Sequence, residues 1–141
     1  MTRLLLTLIL LTTACGPIRW TPTYVVDGDT IMLRDNHTVR YIGIDAPERG
    51  ECMYAEALVA NRDLLQGREV ELTRDTRDHD IYGRWLRYVV VDGIMVNEEM
   101  VRRGLARAVD YPPDTANSKR FHELEATARS QQLGIWGPAC R

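Results

Sequence analysis

The sequence predicts an α+β domain built on a small β-barrel of about five strands with three helices. Three observations lead there. Apolar stretches with strand character are joined at two tight turn signals, Asp35-Asn36 and Asp92-Gly93, which mark antiparallel hairpins. Helical patterns are interspersed among runs of strands, unlike the strict alternation that builds a parallel sheet. The 141 residues fit one domain long enough to bury a core of its own.

The elements follow in order. "WTPTYVVDGDTIMLRDNHTVRYIGID" (20–45) reads as β structure folded back at Asp35-Asn36. "YAEALVANRDLLQG" (54–67) reads as a helix, with Ala57, Ala60, Asn61 and Leu64 on one face and Gly67 just past its end. "REVELT" (68–73) alternates as a short strand. "RWLRYVVVDGIMV" (84–96) is a second hairpin. "NEEMVRRG" (97–104) is a short helix with acids early, bases late and a glycine stop, in accord with the helix dipole. "LARAV" (105–109) is a strand, and the proline pair in "YPPDTANS" bars a helix from the loop that follows. "SKRFHELEATARSQQLG" (118–134) is the last helix, with Phe121, Leu124 and Ala128 as its apolar stripe.

Residues 1–14 stand apart from this fold. Arg3, the apolar run Leu4–Leu11 and the small residues after it form a secretory signal too short to span a membrane as a mature helix. "TTA" suits ordinary cleavage after Ala14, whereas "LTTAC" is similar to a bacterial lipoprotein box with Cys15 as the lipid acceptor. The folded domain is then expected over 20–140, exported as a cell-envelope lipoprotein or in free form. Lipidation of Cys15 would leave Cys52 and Cys140 to pair in an oxidising compartment; the alternative is two reduced thiols.

Net charge, −2 from 18 basic and 20 acidic residues, carries no global nucleic-acid signature. All the basic residues but Lys119 are arginine. Arginine is the better fork for phosphate, although nucleotide composition alone also enriches it. The sequence has no G-x-S-x-G, P-loop, H-E-x-x-H or EF-hand pattern. His37, His79 and His122 have no metal-ligand spacing and read as surface residues.

Chemistry concentrates in "VVDGDT" (25–30), "VRYIGIDAPE" (39–48) and "DIYGRWLRY" (80–88). Asp29 and Asp45 each follow an apolar strand, the oxygen chemistry a hard divalent cation takes, and Glu48 is left free as a base. Solvated turn acids are the plain alternative. Arg40 interrupts an apolar strand, where it serves either to grip a phosphate or to pair with a nearby acid and close the barrel. Strict alternation puts Arg40 on the face opposite Asp45. If both serve one site, the strand must bend between them, and Gly43 is the natural place.

These segments, together with "DIYGRWLRYVVVDGIMVNEEMVRRGLA" and the closing "LGIWG", resemble the thermonuclease family, the staphylococcal-nuclease-like domains. The likeness runs in order from about Tyr24 to Trp136. It implies an OB-fold barrel with three helices and Ca²⁺-dependent hydrolysis of DNA and RNA that leaves 3′-phosphate ends. It implies a nucleic-acid partner, single strands preferred, and a monomer. By position, Asp29 and Asp45 are similar to the family's metal carboxylates, with the Ala46 carbonyl as a further ligand. Arg40, Glu48 and Arg84 match its catalytic trio, and Asp27 its structural acid. Tyr82 is placed to stack on a base or to pack in a strand. "AVDYPP" departs from the family pattern, so Tyr111 receives no role. A catalytically inactive OB-fold module that binds single strands or a protein is the other reading; survival of all five charged side chains favours the enzyme.

Overall fold

The structure is a computed structural model that describes residues 16–140; the predicted leader and Cys15 lie outside the described residues. Strand β1 is Arg19–Trp20 and β2 is Pro22–Val25; β3 (Thr30–Leu33) and β4 (Thr38–Tyr41) form the first hairpin. After β5 (Ile44–Asp45) come α1 (Tyr54–Leu65), β6 (Val70–Thr73), and the hairpin of β7 (Trp85–Val91) and β8 (Ile94–Met95). Helix α2 (Val96–Arg102), β9 (Arg107–Ala108), α3 (Ser118–Ser130) and two single-turn 3₁₀ segments, Gly134–Trp136 and Pro138–Cys140, complete the order.

The main sheet runs β1-β6-β7-β4-β3-β2, with β8 on β7. Only Thr21 separates β1 from β2, so one interrupted strand pairs with β6 at one end and β3 at the other. That closes the sheet into a barrel of five strand-like ribbons, as expected from the sequence. The pairs are antiparallel except β4 with β7, where Val39, Arg40 and Tyr41 lie opposite Trp85, Leu86 and Arg87. A parallel pair needs a long crossover, and here it carries α1 and β6. Among the described residues, closure leaves no long open edge in this sheet.

The alternating apolar residues line the interior: Ile31, Val39, Ile44, Val70, Val89 and Val91 are fully buried. Both residues of the Asp92-Gly93 turn have positive φ, 48° and 79°, which is the type I′ geometry that suits a right-twisted hairpin. The helices end earlier than their periodicity suggests. Helix α3 stops at Ser130 because Gln132 and Gly134 adopt left-handed backbone. This brings Gly134 against Gly104, so close that a β-carbon on Gly134 would lie 2.1 Å from the Gly104 carbonyl oxygen. Strand β9 covers only Arg107–Ala108 of the five residues read as strand, because its partner β5 is itself two residues long.

Helix α2 carries a charge cluster with a testable consequence. Glu99 accepts from Arg102 through both carboxylate oxygens, at 2.6 and 2.8 Å, and from Arg103 Nε at 2.6 Å. The hydrogen bonds from Arg102 hold its carboxyl down at about 2, against an ordinary 4.5. A carboxyl depressed on folding stabilises the native state above the ordinary value, and that stabilisation is lost as pH falls through the depressed one. The wild type should therefore be more stable to urea than Glu99→Gln at pH 6, and the gap should shrink between pH 4.5 and 2. A gap that is constant over this range rules out the ion cluster as its source.

Candidate active site

The strand carrying Arg40 breaks where Gly43 stands. β4 ends at Tyr41, Ile42 still donates to the Arg87 carbonyl of β7 at 3.0 Å, and then the chain turns. Gly43 has φ of 75° and its carbonyl accepts from Val109, so β5 pairs with β9 in a separate two-stranded sheet. A β-carbon on Gly43 would lie 2.7 Å from the Phe121 ring, so close packing and backbone angle both call for glycine. Buried Asn97 holds the corner, donating to the Ile42 carbonyl and accepting from the Val89 N–H, each at 2.9 Å. The turn brings Arg40 and Asp45 to the same side despite their strand parity.

Arg40 Nη2 lies 3.0 Å from Asp45 and 3.2 Å from Asp29. Its Nη1 donates to the carbonyls of Tyr41 and Ile44, both at 2.9 Å. The other Asp29 oxygen accepts from Thr30 Oγ1, and Asp27 accepts from the Asp29 N–H. The Ala46 N–H donates to Asp29 at 2.7 Å, tying the segment after β5 to the one before β3. Burial pushes the Asp29 carboxyl up to about 7, against the pull of Arg40 and the Ala46 N–H. One guanidinium thus serves two carboxylates, with Asp27 also pressing on Asp29.

That deficit of positive charge fits a hard cation held by Asp29, Asp45 and the Ala46 carbonyl. Among the described residues no three His, Cys, Asp or Glu side chains converge on a metal position. Water would have to complete the shell, as Ca²⁺ accepts.

Arg84 is held differently. It sits in the turn before β7, and Asp80 receives its backbone N–H at 2.9 Å and its Nε at 2.6 Å. Burial pushes the Asp80 carboxyl up, but Arg84 and the backbone N–H groups of Arg84 and Tyr82 outweigh it and hold it below the usual range. No hydrogen bond or ion pair among the described residues engages either Nη of Arg84. Arg84 and Arg40 line one cleft of about 490 Å³, walled further by Ile42, Arg77, His79 and Tyr111.

Glu48 lies outside that wall, exposed on the loop after β5, and no contact among the described residues engages its carboxylate. Tyr82 is not a strand residue: it stands 78% exposed in the 80–83 turn, with the Arg84 guanidinium 5.5 Å from its ring centre. Cys52 and Cys140 are joined in a disulfide across 88 residues.

Three features were not assigned to the site from the sequence. Asp80 orients Arg84, and its only sequence signal is an acid four residues before the arginine. Buried Asp114 accepts from the N–H groups of Thr76 and Arg77 and from Arg77 Nε, locking two loops that frame the cleft. Tyr111, given no role, and His79, read as solvated, both reach the cleft wall.

Comparison with known proteins gives consistent results. Residues 38–138 match the family described as Staphylococcal nuclease homologue. The chain is 42% identical over 122 residues to the SPbeta prophage-derived endonuclease YokF of Bacillus subtilis (strain 168), covering 79% of this chain and 41% of that protein. It is 40% identical over 122 residues to Endonuclease YncB of the same organism, covering 79% and 58%. With the thermonuclease of Staphylococcus intermedius it shares 34% identity over 121 residues, 79% of this chain and 72% of that one. The chain thus spans less than two thirds of either Bacillus relative.

Proposed function

The chain belongs to the staphylococcal nuclease homologue family, and from that premise we propose that it is an exported, Ca²⁺-dependent endonuclease. It hydrolyses phosphodiester bonds in DNA and RNA, prefers single strands, and leaves 3′-phosphate ends. The observation that supports this best is Arg84, whose guanidinium is fixed through Nε while both Nη groups remain available in the cleft it shares with Arg40.

Arg84 donates to two non-bridging oxygens of the scissile phosphate, and these bonds strengthen as charge builds on a five-coordinate phosphorus. Arg40 is already held by four acceptors, so its guanidinium enters the site in a fixed position, its charge shared with Asp29 and Asp45. Glu48, unengaged and in water, orients the attacking water and takes its proton while the 5′ oxygen leaves. Asp29, Asp45 and the Ala46 carbonyl would hold Ca²⁺, which when bound supplies further positive charge against the phosphoryl oxygens. Tyr82, exposed beside Arg84, offers a stacking face for a base, worth about 1–3 kcal/mol. Export through the leader, with or without a lipid on Cys15, belongs to the same proposal.

Purified protein should cleave denatured DNA in Ca²⁺ and lose at least 100-fold of its rate in a Ca²⁺ chelator. Ca²⁺ at about 100 times its Kd should also raise stability by roughly 2.7 kcal/mol. Asp29→Asn should abolish that rise. Intact DNA in both tubes rejects the nuclease; an undiminished rise in Asp29→Asn rejects the cation site.

A further inference from the structure

Among the described residues, the loop that carries Glu48 has few non-covalent ties of its own. It leaves the buried pair Ala46-Pro47 and rejoins the fold at half-buried Met53; every residue from Glu48 to Cys52 is exposed. Its hydrogen bonds are internal or local: the Glu48 N–H donates to the Glu51 carboxylate at 2.8 Å, and the Glu51 N–H returns to the Glu48 carbonyl at 2.9 Å. Gly50 and Met53 both have positive φ, 94° and 66°. For Met53 that is a conformation its side chain disfavours. Helix α1 begins immediately afterwards with no side-chain cap. Such a segment samples many conformations unless something outside it limits them.

The covalent bond from Cys52 to Cys140 is that outside tie. Its far end is firmly founded. The Ile135 N–H donates to the Gly104 carbonyl at 2.9 Å, and a β-carbon on Gly104 would meet the Leu133 carbonyl oxygen at 2.4 Å. Trp136 packs against the guanidinium of Arg129, 3.8 Å from its ring centre, with Arg107 at 5.7 Å. The N–H groups of Gly137 and Cys140 then step outward along the two 3₁₀ turns. Arg107 is in turn the β-partner of Asp45. The same platform therefore underlies both the strand that enters the Glu48 loop and the post that holds its other end.

We propose that the Cys52–Cys140 bond is a redox-sensitive positioning tie for Glu48, which sets the water-handling carboxylate in the oxidised protein and releases it in the reduced one. The proposal rests on the nuclease reading and on Glu48 as its base. Forming the bond removes two electrons and two protons from the Cys52 and Cys140 thiols and passes them to a disulfide-bearing oxidant, which leaves as a dithiol; a dithiol reductant reverses the exchange. Cys52 is exposed, so both reagents reach it. Asp29, Arg40, Asp45 and Arg84 are held by hydrogen bonds that do not involve the loop, so reduction slows hydrolysis without weakening substrate binding. A nuclease so built is least active in a reducing cytoplasm and fully active once oxidised outside it.

The test compares oxidised protein, dithiol-reduced protein and the Cys52→Ser/Cys140→Ser variant on denatured DNA in Ca²⁺, with near-ultraviolet dichroism recorded at the assay temperature. Reduction should lower kcat about tenfold or more, leave KM within twofold, speed amide exchange over 48–53, and reverse on reoxidation. The double-serine variant should match the reduced protein and ignore the reductant. In a Glu48→Ser background, reduction should change kcat by less than twofold, because the tie acts through Glu48. Equal kcat in both redox states of a working nuclease overturns the proposal, and so does a reduced chain that unfolds at the assay temperature. If oxidised protein cleaves nothing, the nuclease reading fails; equal exchange over 48–53 in both states overturns the tie whatever the activity.

Discussion

Arg84→Ala should lower kcat for cleavage of denatured DNA by about 10²–10³-fold, the usual loss when one preorganised donor to a transition-state oxyanion is removed. The fold should be little affected, because Arg84 is one-third exposed and its partner Asp80 keeps two backbone donors. Arg84→Lys should recover little. A lysine has a single nitrogen, which can serve Asp80 or the phosphate but cannot hold one while gripping two oxygens of the other. Asp80→Asn should fall between, since the guanidinium survives but loses the carboxylate that aims it. Single-turnover rates at saturating DNA and Ca²⁺ check all three. A kcat for Arg84→Ala within threefold of wild type removes Arg84 from the chemistry.

Gly43→Ala should be strongly destabilising, and unlike a change at Gly104 or Gly134 it falls within the segment that carries Arg40 and Asp45. Holding a non-glycine residue at φ of 75° costs about 1–2 kcal/mol. Forcing a methyl against the Phe121 ring, 2.7 Å away, adds about 1–3 kcal/mol. A loss of about 3 kcal/mol is a large share of the 5–15 kcal/mol typical of a domain, and at about 4 °C per kcal/mol lowers Tm by roughly 12 °C. Activity should suffer beyond stability, because the turn at Gly43 aligns Arg40 with Asp45. Phe121→Leu in the same chain should relieve the steric part and leave the backbone part. Thermal melts of the two single variants and the double variant separate them. A Tm within 3 °C of wild type for Gly43→Ala would show that the chain can turn there without glycine.

Much of the fold was legible because its signals are local. The turns at Asp35-Asn36 and Asp92-Gly93, the 3.6-residue stripes of α1 and α3, and the dipole-matched charges of α2 each lie within a few residues. Element ends were less so. Helix α3 ends where Gly134 must approach Gly104, thirty residues earlier in the chain, and no pattern inside the helix announces that contact. The parity conflict between Arg40 and Asp45 was visible, and with it the need for a break at Gly43. What fills the break, the Phe121 ring and the Asn97 amide, comes from two helices far along the chain.

The α+β barrel, the segments in which charged residues gather and the two cysteines able to pair can be read along the chain, because periodicity, turn chemistry and residue identity need no partner. How each charge is used depends on contacts made when the barrel closes. Arg40 is held by two carbonyls and two carboxylates, whereas Arg84 is tied by one edge and open at the other. Arg40 lies within an apolar strand and Arg84 just before one. What separates them is which acceptors the closed barrel brings within 3 Å or so, and hydrogen bonds of that kind form between groups that the chain order keeps apart.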